Sequence, residues 1–341
     1  MQYLVSTIIP FYNSKKYIEE AIQSVLNQTI GFNNIELILI NDGSTDDTEK
    51  IIQKFTQKYD NIKYYYQKNT GVGLASNKGL ELSTGKYVTF LGSDDILDKN
   101  AYENLYNNAE KNNAEISMGK IILFNSKKEW ALKSHSIIFS EDKLSHIKND
   151  LGLIFNASPA NKLFLSSFIK KNNILYPNLR SHADAPFVVP LLFLSNKCSI
   201  TKKSVYYWRQ DNNQQITKNY DKEQSMSNLN KSTDIINDFL IKNGFKKYRI
   251  SIILKNYSIY QKIIRESIKN KKFDFVIKYY RKFLITINQK EFAMLPTLKK
   301  YEVTAIKKRY NNLAYLIVVI YKFLFGSFNA FHYLQKRKCD V

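Results

Sequence analysis

Short apolar runs alternate with amphipathic stretches through the first hundred residues. "YLVSTIIP" is a run of buried-strand length that ends at Pro10. Ile18, Ala21, Ile22, Val25 and Leu26 then recur at helical spacing, with Ser14 placed to cap that helix. "IELILIN" predicts a second buried strand, stopped by "NDGSTDD". There Ser44 or Thr45 can cap a helix lined by Ile51, Ile52 and Phe55. "IKYYYQ" predicts a third strand, "GVGLASNKGLELSTG" a third helix with Gly85 just past its end, and "KYVTFL" a fourth strand.

Strand and helix in units this short predict parallel strands joined by right-handed crossovers, an α/β fold. Such sheets bind ligands at the carboxyl ends of their strands. The polar clusters "PFYN", "NDGSTDD", "QKNTG" and "GSDD" follow the strands in turn, so a parallel sheet gathers them on one rim. "YVTFLGSDDILD" sharpens the point, because an apolar strand ends on Asp94 and Asp95. Either a metal binds at the strand tip, or a turn leads into a helix cap. Convergence of the clusters favours a site.

Beyond residue 115 the pattern loosens. "EISMGKIILF" and "SIIFS" read as strands, "NKLFLSSFIKKNNILYP" as a short helix and turn, and "SVYYWRQ" as a late strand. "SHADAPFVVPLLFLSN" opens a helix that Pro186 and Pro190 shorten or bend. From about Thr217 only helical patterns follow, which sets domains at 1–217 and 218–341. Helical faces are expected at Ile235–Leu240, Ile252–Ile264 and Phe273–Leu284. Ala314–Phe325 is apolar apart from Lys322, with aromatic and basic residues after it. That stretch suits an interfacial helix on an anionic membrane, or a helix docked on protein.

The 341-residue chain carries a formal charge of +21. This points to nucleic acid, an anionic membrane face or a polyanionic substrate, unless a Lys- and Asn-rich composition alone produces it. The two cysteines, Cys198 and Cys339, build no disulfide framework and have no metal-ligand spacing. With no basic leader at the N-terminus and no spanning segment, a cytoplasmic protein is expected, peripheral on the membrane if the last helix meets lipid.

"STIIPFYNSKKYIEEAIQSVLNQT", "IELILINDGSTDDT", "QKNTGVGLASNKGL" and "GKYVTFLGSDDIL", followed by "NKLF", "ADAPF" and "YYWRQ", resemble glycosyltransferase family 2 over roughly residues 4–217. Any one segment is common; together in this order they are specific. The middle section looks loosely like enzymes that glycosylate wall teichoic acids and other surface polymers. The resemblance implies a GT-A fold and an inverting transfer from a nucleotide sugar, a UDP-sugar, to a glycan, teichoic acid or lipid-linked acceptor. It implies Mn²⁺ or Mg²⁺ at the diphosphate, held by Asp94. Ser93 and Asp95 stand beside that acid in the donor site. Pro10 and Tyr12 match base and ribose contacts, and Asp42 and Asn69 match contacts to the base. Asp184 matches the general base, with His182 a rival. Lys162, Tyr207 and Arg209 match positions that meet acceptor or phosphate, although a salt bridge explains Arg209 as well.

The chain departs from the family pattern at Gly92, where an aspartate is usual, at Ser76 for an arginine, and at Ala183 for a glutamate. These departures keep open a second reading, a donor-binding or scaffolding relative with impaired catalysis. A nucleic-acid-binding protein is a third reading, but the sequence has no recognition motif for it and no nucleic-acid partner is expected. The C-terminal helices are candidates for oligomerisation or membrane attachment.

Overall fold

The computed structural model describes residues 3–212, 221–249 and 252. The chain divides into two compact units, Met1–Asn219 and Tyr220–Val341.

In the first unit, β1 (Val5–Phe11), β2 (Ile35–Asn41), β3 (Ile62–Tyr66) and β4 (Tyr87–Phe90) pair in parallel, as the alternation predicts. Helices α1 (Ile18–Leu26), α2 (Thr48–Thr56) and α3 (Val72–Leu82) return the chain between them. Then follow β5 (Ile96–Leu97), α4 (Ala101–Asn112), β6 (Ile116–Phe124), β7 (Glu129–Ala131), α5 (Lys133–Ile138) and β8 (Lys143–Ser145). The unit closes with β9 (Lys162–Leu165), α6 (Ser166–Asn172), α7 (Asp184–Leu194) and β10 (Cys198–Arg209). All strands share one mixed sheet in the order β3-β2-β1-β4-β9-β6-β10-β5, with β7 on β6 and β8 on β10. Because β9 runs antiparallel to β4, the start of β9 lies toward the carboxyl end of β4.

The apolar run of β1 is buried on both faces, as a central parallel strand requires. Val5, Ile9 and Phe11 join a cluster with Ile22 of α1, Ile52 of α2 and Leu105 of α4. Ile8 meets α3 instead. A Cβ on Gly79 would lie 2.3 Å from Ile8 Cγ2, so glycine is what lets this helix lie so close to the sheet. Phe187 of α7 stacks on Tyr176 at 4.1 Å and packs edge-on against Phe90 at 5.6 Å and Phe164 at 5.7 Å. Such aromatic pairs add to the burial of their area.

Several local expectations are corrected. Ser14 does not cap α1 with its side chain; its carbonyl receives the amides of Tyr17 and Ile18, and its hydroxyl turns to Ser93. Asp46, not Ser44 or Thr45, receives the Thr48 amide at the start of α2 (3.1 Å). "SIIFS" lies in and just after helix α5, with Ile138 and Phe139 buried. In so short a run, apolar neighbours do not separate a strand from the inner face of a helix. "NKLF" opens as strand β9 rather than helix, and Pro190 sits inside α7 without ending it.

In the second unit, α8 (Lys222–Lys242) is capped by Asp221, whose carboxylate accepts from the amides of Glu223 (3.1 Å) and Gln224 (3.3 Å). Its Met226, Leu229, Ile236 and Leu240 are buried. The helical faces expected from Ile253 onward, and the apolar stretch from Ala314, lie outside the described residues. Among the described residues no helix is long and apolar enough to cross a membrane.

Candidate active site

The loops that follow β1 to β4 are joined by hydrogen bonds at the carboxyl edge of the sheet. Asn13, in the left-handed region at φ +48°, accepts the Thr45 amide on Oδ1 (2.8 Å) and gives its own amide to Ser44 Oγ (3.0 Å). The Ser14 amide donates to Thr48 Oγ1 (2.9 Å), while its hydroxyl pairs with that of Ser93 (2.8 Å). Those bonds tie the first, second and fourth loops together. Asp42 adds the third: Oδ1 accepts from Gln67 Nε2 and the Thr70 amide (2.9 Å each), and Oδ2 accepts the Gly71 amide (2.8 Å). Gly43, at φ +81°, has the Asn69 amide nitrogen 2.9 Å from where a Cβ would stand, so these two loops touch.

Asp42 is thus only 4% exposed, and both its oxygens hold the loop after β3. Pro10 is half-buried near the end of β1, and Asn69 is exposed in the β3 loop. Tyr12 is 49% exposed, which leaves its ring open to a stacking partner.

The paired acids have different surroundings. Asp95 is 6% exposed. Its Oδ2 accepts from Tyr206 Oη (2.5 Å) and its Oδ1 from the Arg209 amide (2.8 Å). Burial, with the charge of Asp94 added, pushes its pKa up to about 8 against the lowering effect of those two bonds. Asp94 is half-buried; its Oδ2 accepts from Asn212 Nδ2 (2.8 Å) and its carbonyl from Arg209 Nε (2.7 Å).

Among the described residues no three His, Cys, Asp or Glu side chains gather as a metal cage. One partly exposed carboxylate is still the donor type that Mg²⁺ and Mn²⁺ use when substrate oxygens complete their coordination. The residues therefore fit an ion shared with a diphosphate.

Asp184 is exposed and opens α7. The segment before it is fastened to α3: Asn77 Nδ2 donates to the Tyr176 carbonyl, and the Tyr176 amide donates to Asn77 Oδ1, both at 2.9 Å. One turn into α7, Phe187 packs on Phe90, the last residue of β4. Tyr176, whose hydroxyl pKa is raised by burial and then by the charge of Asp184, lies between them. Through Tyr176 and Phe187, the start of α7 that bears Asp184 is packed beside the end of β4. His182 precedes it in the left-handed region at φ +59°.

Other expected residues sit differently. Lys162 is 0% exposed. Its Nζ donates to the carbonyls of Asn156 (2.8 Å) and Ser158 (2.6 Å) and to Asn161 Oδ1 (2.9 Å). The expected contact with acceptor or phosphate is corrected accordingly: the ammonium satisfies buried carbonyls instead. Arg209 is likewise committed within the protein, paired with Glu20 (2.5 Å) and held between the rings of Tyr17 and Phe124 (4.6 Å each). Tyr207 is half-buried, edge-on to Phe124 at 6.0 Å. Ser76 turns its hydroxyl back to the Val72 carbonyl (2.7 Å). Ala183 is buried, with its Cβ 3.5 Å from where a Cβ on Gly73 would stand. Sequence reasoning assigned no part to Tyr206, Asn77, Glu20 or Asn212. Tyr206, Asn77 and Glu20 lie within the family-like segments, but their partners are far away in the chain, and no local pattern names those partners.

Residues 6–172 match the family model described as Glycosyl transferase family 2. The chain is 34% identical to the minor teichoic acid biosynthesis protein GgaB of Bacillus subtilis over 61% of this chain and 23% of that protein. It is also 34% identical to the poly(ribitol-phosphate) beta-N-acetylglucosaminyltransferase TarP of Staphylococcus aureus, over 60% of this chain and 62% of TarP. The chain thus spans less than a quarter of GgaB and under two thirds of TarP. Residues 1–349 of S. aureus TarS, solved with UDP-GlcNAc, superpose with a TM-score of 0.79 at 20% identity, over 95% of this chain and 92% of that one. That likeness bears out the GT-A fold. With the family model lying on the very strands whose tips form the rim, residues 6–172 carry a glycosyltransferase family 2 domain.

Proposed function

We propose that this chain is an inverting glycosyltransferase. It moves a sugar from a nucleotide-sugar donor, a UDP-sugar, to a hydroxyl of a teichoic acid or related surface glycan or lipid-linked acceptor. One observation supports the reading: the loops that follow β1 to β4, with Asp42 and Asp94 on two of them, are hydrogen-bonded together at the carboxyl edge of the sheet, and α7, which Asp184 opens, packs Phe187 on Phe90 at the end of β4. The polymer named for GgaB and TarP, and the UDP-GlcNAc held by TarS, supply the substrate classes. The +21 charge suits a polyanionic acceptor on the cytoplasmic face of a membrane.

In this mechanism Tyr12 stacks on the donor, with Pro10, Asn69 and the loop held by Asp42 around the base. Asp94 would hold a divalent ion, which would supply charge neutralisation at the departing diphosphate. Asp184 accepts the proton of the acceptor hydroxyl as that oxygen bonds to the anomeric carbon. The anomeric C–O bond to the diphosphate breaks with inversion, and nucleoside diphosphate leaves.

Asp184→Asn tests the assignment. Transfer should fall by roughly a hundredfold or more with UDP affinity unchanged. A variant that transfers at the wild-type rate removes Asp184 from the role. A second reading, a donor binder with impaired catalysis, draws on Ser76, whose hydroxyl is turned into its own helix. Wild-type chain that binds UDP-sugars with Mn²⁺ in a thermal-shift screen, yet transfers to no surface polymer, would favour it.

A further inference from the structure

Behind Asp94 lies a buried arrangement that the proposed mechanism leaves unused. Tyr206 Oη donates to Asp95 Oδ2 (2.5 Å) and accepts the Gly92 amide (3.1 Å). The other oxygen of Asp95 accepts the Arg209 amide (2.8 Å), and Arg209 Nε donates to the Asp94 carbonyl (2.7 Å). Arg209 is in turn fixed by Glu20 and the rings of Tyr17 and Phe124. Both ends of the Gly92–Asp95 turn are therefore pinned to the end of β10, and Asp94 lies between the pins.

Gly92 completes this arrangement. A Cβ at position 92 would stand 2.5 Å from Asp95 Oδ2 and 3.2 Å from Tyr206 Oη. The aspartate usual in the family at this position fits here only if the Asp95 carboxylate moves aside. Moving that carboxylate aside would break its bonds to Tyr206 and Arg209, and a buried acceptor without its donors is costly.

We propose that Tyr206 is a positioning residue of the donor site. Through Asp95 and the Gly92 amide it fixes the turn that carries Asp94, and glycine at position 92 is the condition for that contact. Tyr206 acts through Asp95 and needs no contact with the donor. The inference rests on the reading that Asp94 meets the cation-bound diphosphate.

Calorimetric titration of the full chain with UDP, with and without Mn²⁺, tests it. Wild-type chain should bind UDP more tightly when Mn²⁺ is present. Tyr206→Phe keeps the buried ring and removes only the hydroxyl. In this variant the Mn²⁺-linked gain should shrink about tenfold, while UDP affinity without the ion and the circular-dichroism spectrum stay at wild-type values. Gly92→Ala presses on the same carboxylate from the other side and should show the same selective loss. If one variant does not fold, the other decides the question. A folded Tyr206→Phe chain that keeps the whole gain overturns the inference and leaves the reading of Asp94 standing. Wild-type chain with no Mn²⁺-linked gain overturns both.

Discussion

Asp94 and Asp95 are adjacent in sequence, yet Asp94 is half-buried on the rim and Asp95 is folded fully inward. Asp94→Asn should therefore weaken UDP binding in Mn²⁺ by about tenfold or more and leave the melting temperature unchanged, as titration and calorimetry together would show. His135 is a second residue defined by its surroundings. It is buried, and its Nδ1 accepts the Ile121 amide (3.2 Å). Burial, and then the nearby charge of Lys162, lowers its pKa from 6.5 to about 4. The unfolded chain thus takes up this proton at a higher pH than the folded one. The contribution of His135 to stability is complete above pH 6.5 and drains away as pH falls toward 4. The full loss is roughly 3 kcal/mol at about 1.4 kcal/mol per pH unit. His135→Asn keeps an acceptor for the Ile121 amide and should flatten that slope in denaturant melts run between pH 7 and pH 4.5. A variant with the wild-type slope would show that other groups cause it.

At the scale of elements, α3 works as a hinge plate for the site. Its Gly79 seats it on Ile8 of β1, and its Asn77 holds the segment that leads to Asp184. Gly79→Ala should cost about 1–3 kcal/mol by overpacking against the strand, read as a lower melting temperature. Asn77→Ala should leave UDP affinity within about twofold and slow transfer by roughly tenfold, since it frees the segment that orients Asp184. If Asn77→Ala weakened UDP binding and transfer equally, the link from α3 to the role proposed for Asp184 would lose its support. Strand β10 plays the matching part on the other side, where Tyr206 and Arg209 grip the acid turn.

For the whole molecule, charge is the dominant property. A chain at +21 should draw an anionic polymer by long-range attraction that salt screens. Raising NaCl from about 50 to 300 mM is expected to raise KM for a poly(ribitol phosphate) acceptor several-fold and to change KM for the donor much less. Equal effects on both would place the charge elsewhere than on acceptor capture. Whether the C-terminal stretch brings the chain to a membrane or to another copy is a separate matter of fractionation. Chain truncated before Tyr315 that still sediments with membranes would remove the lipid role of that stretch.

The alternating parallel strands, the crossover helices and the gathering of polar loops were legible in the sequence. They arise from short-range pattern, unbroken apolar runs for the buried strands and a period of 3.6 for helices, and from turn residues that stop each run. The order of the family-like motifs was legible for the same reason, since each is a short contiguous stretch. The partners of the charged side chains were not. Arg209 meets Glu20 across 189 positions, and Tyr206 meets Asp95 across 111. Lys162 points inward because the carbonyls of Asn156 and Ser158 require donors there. Which of two neighbouring carboxylates faces water is decided by desolvation, and only packing from distant segments creates that burial.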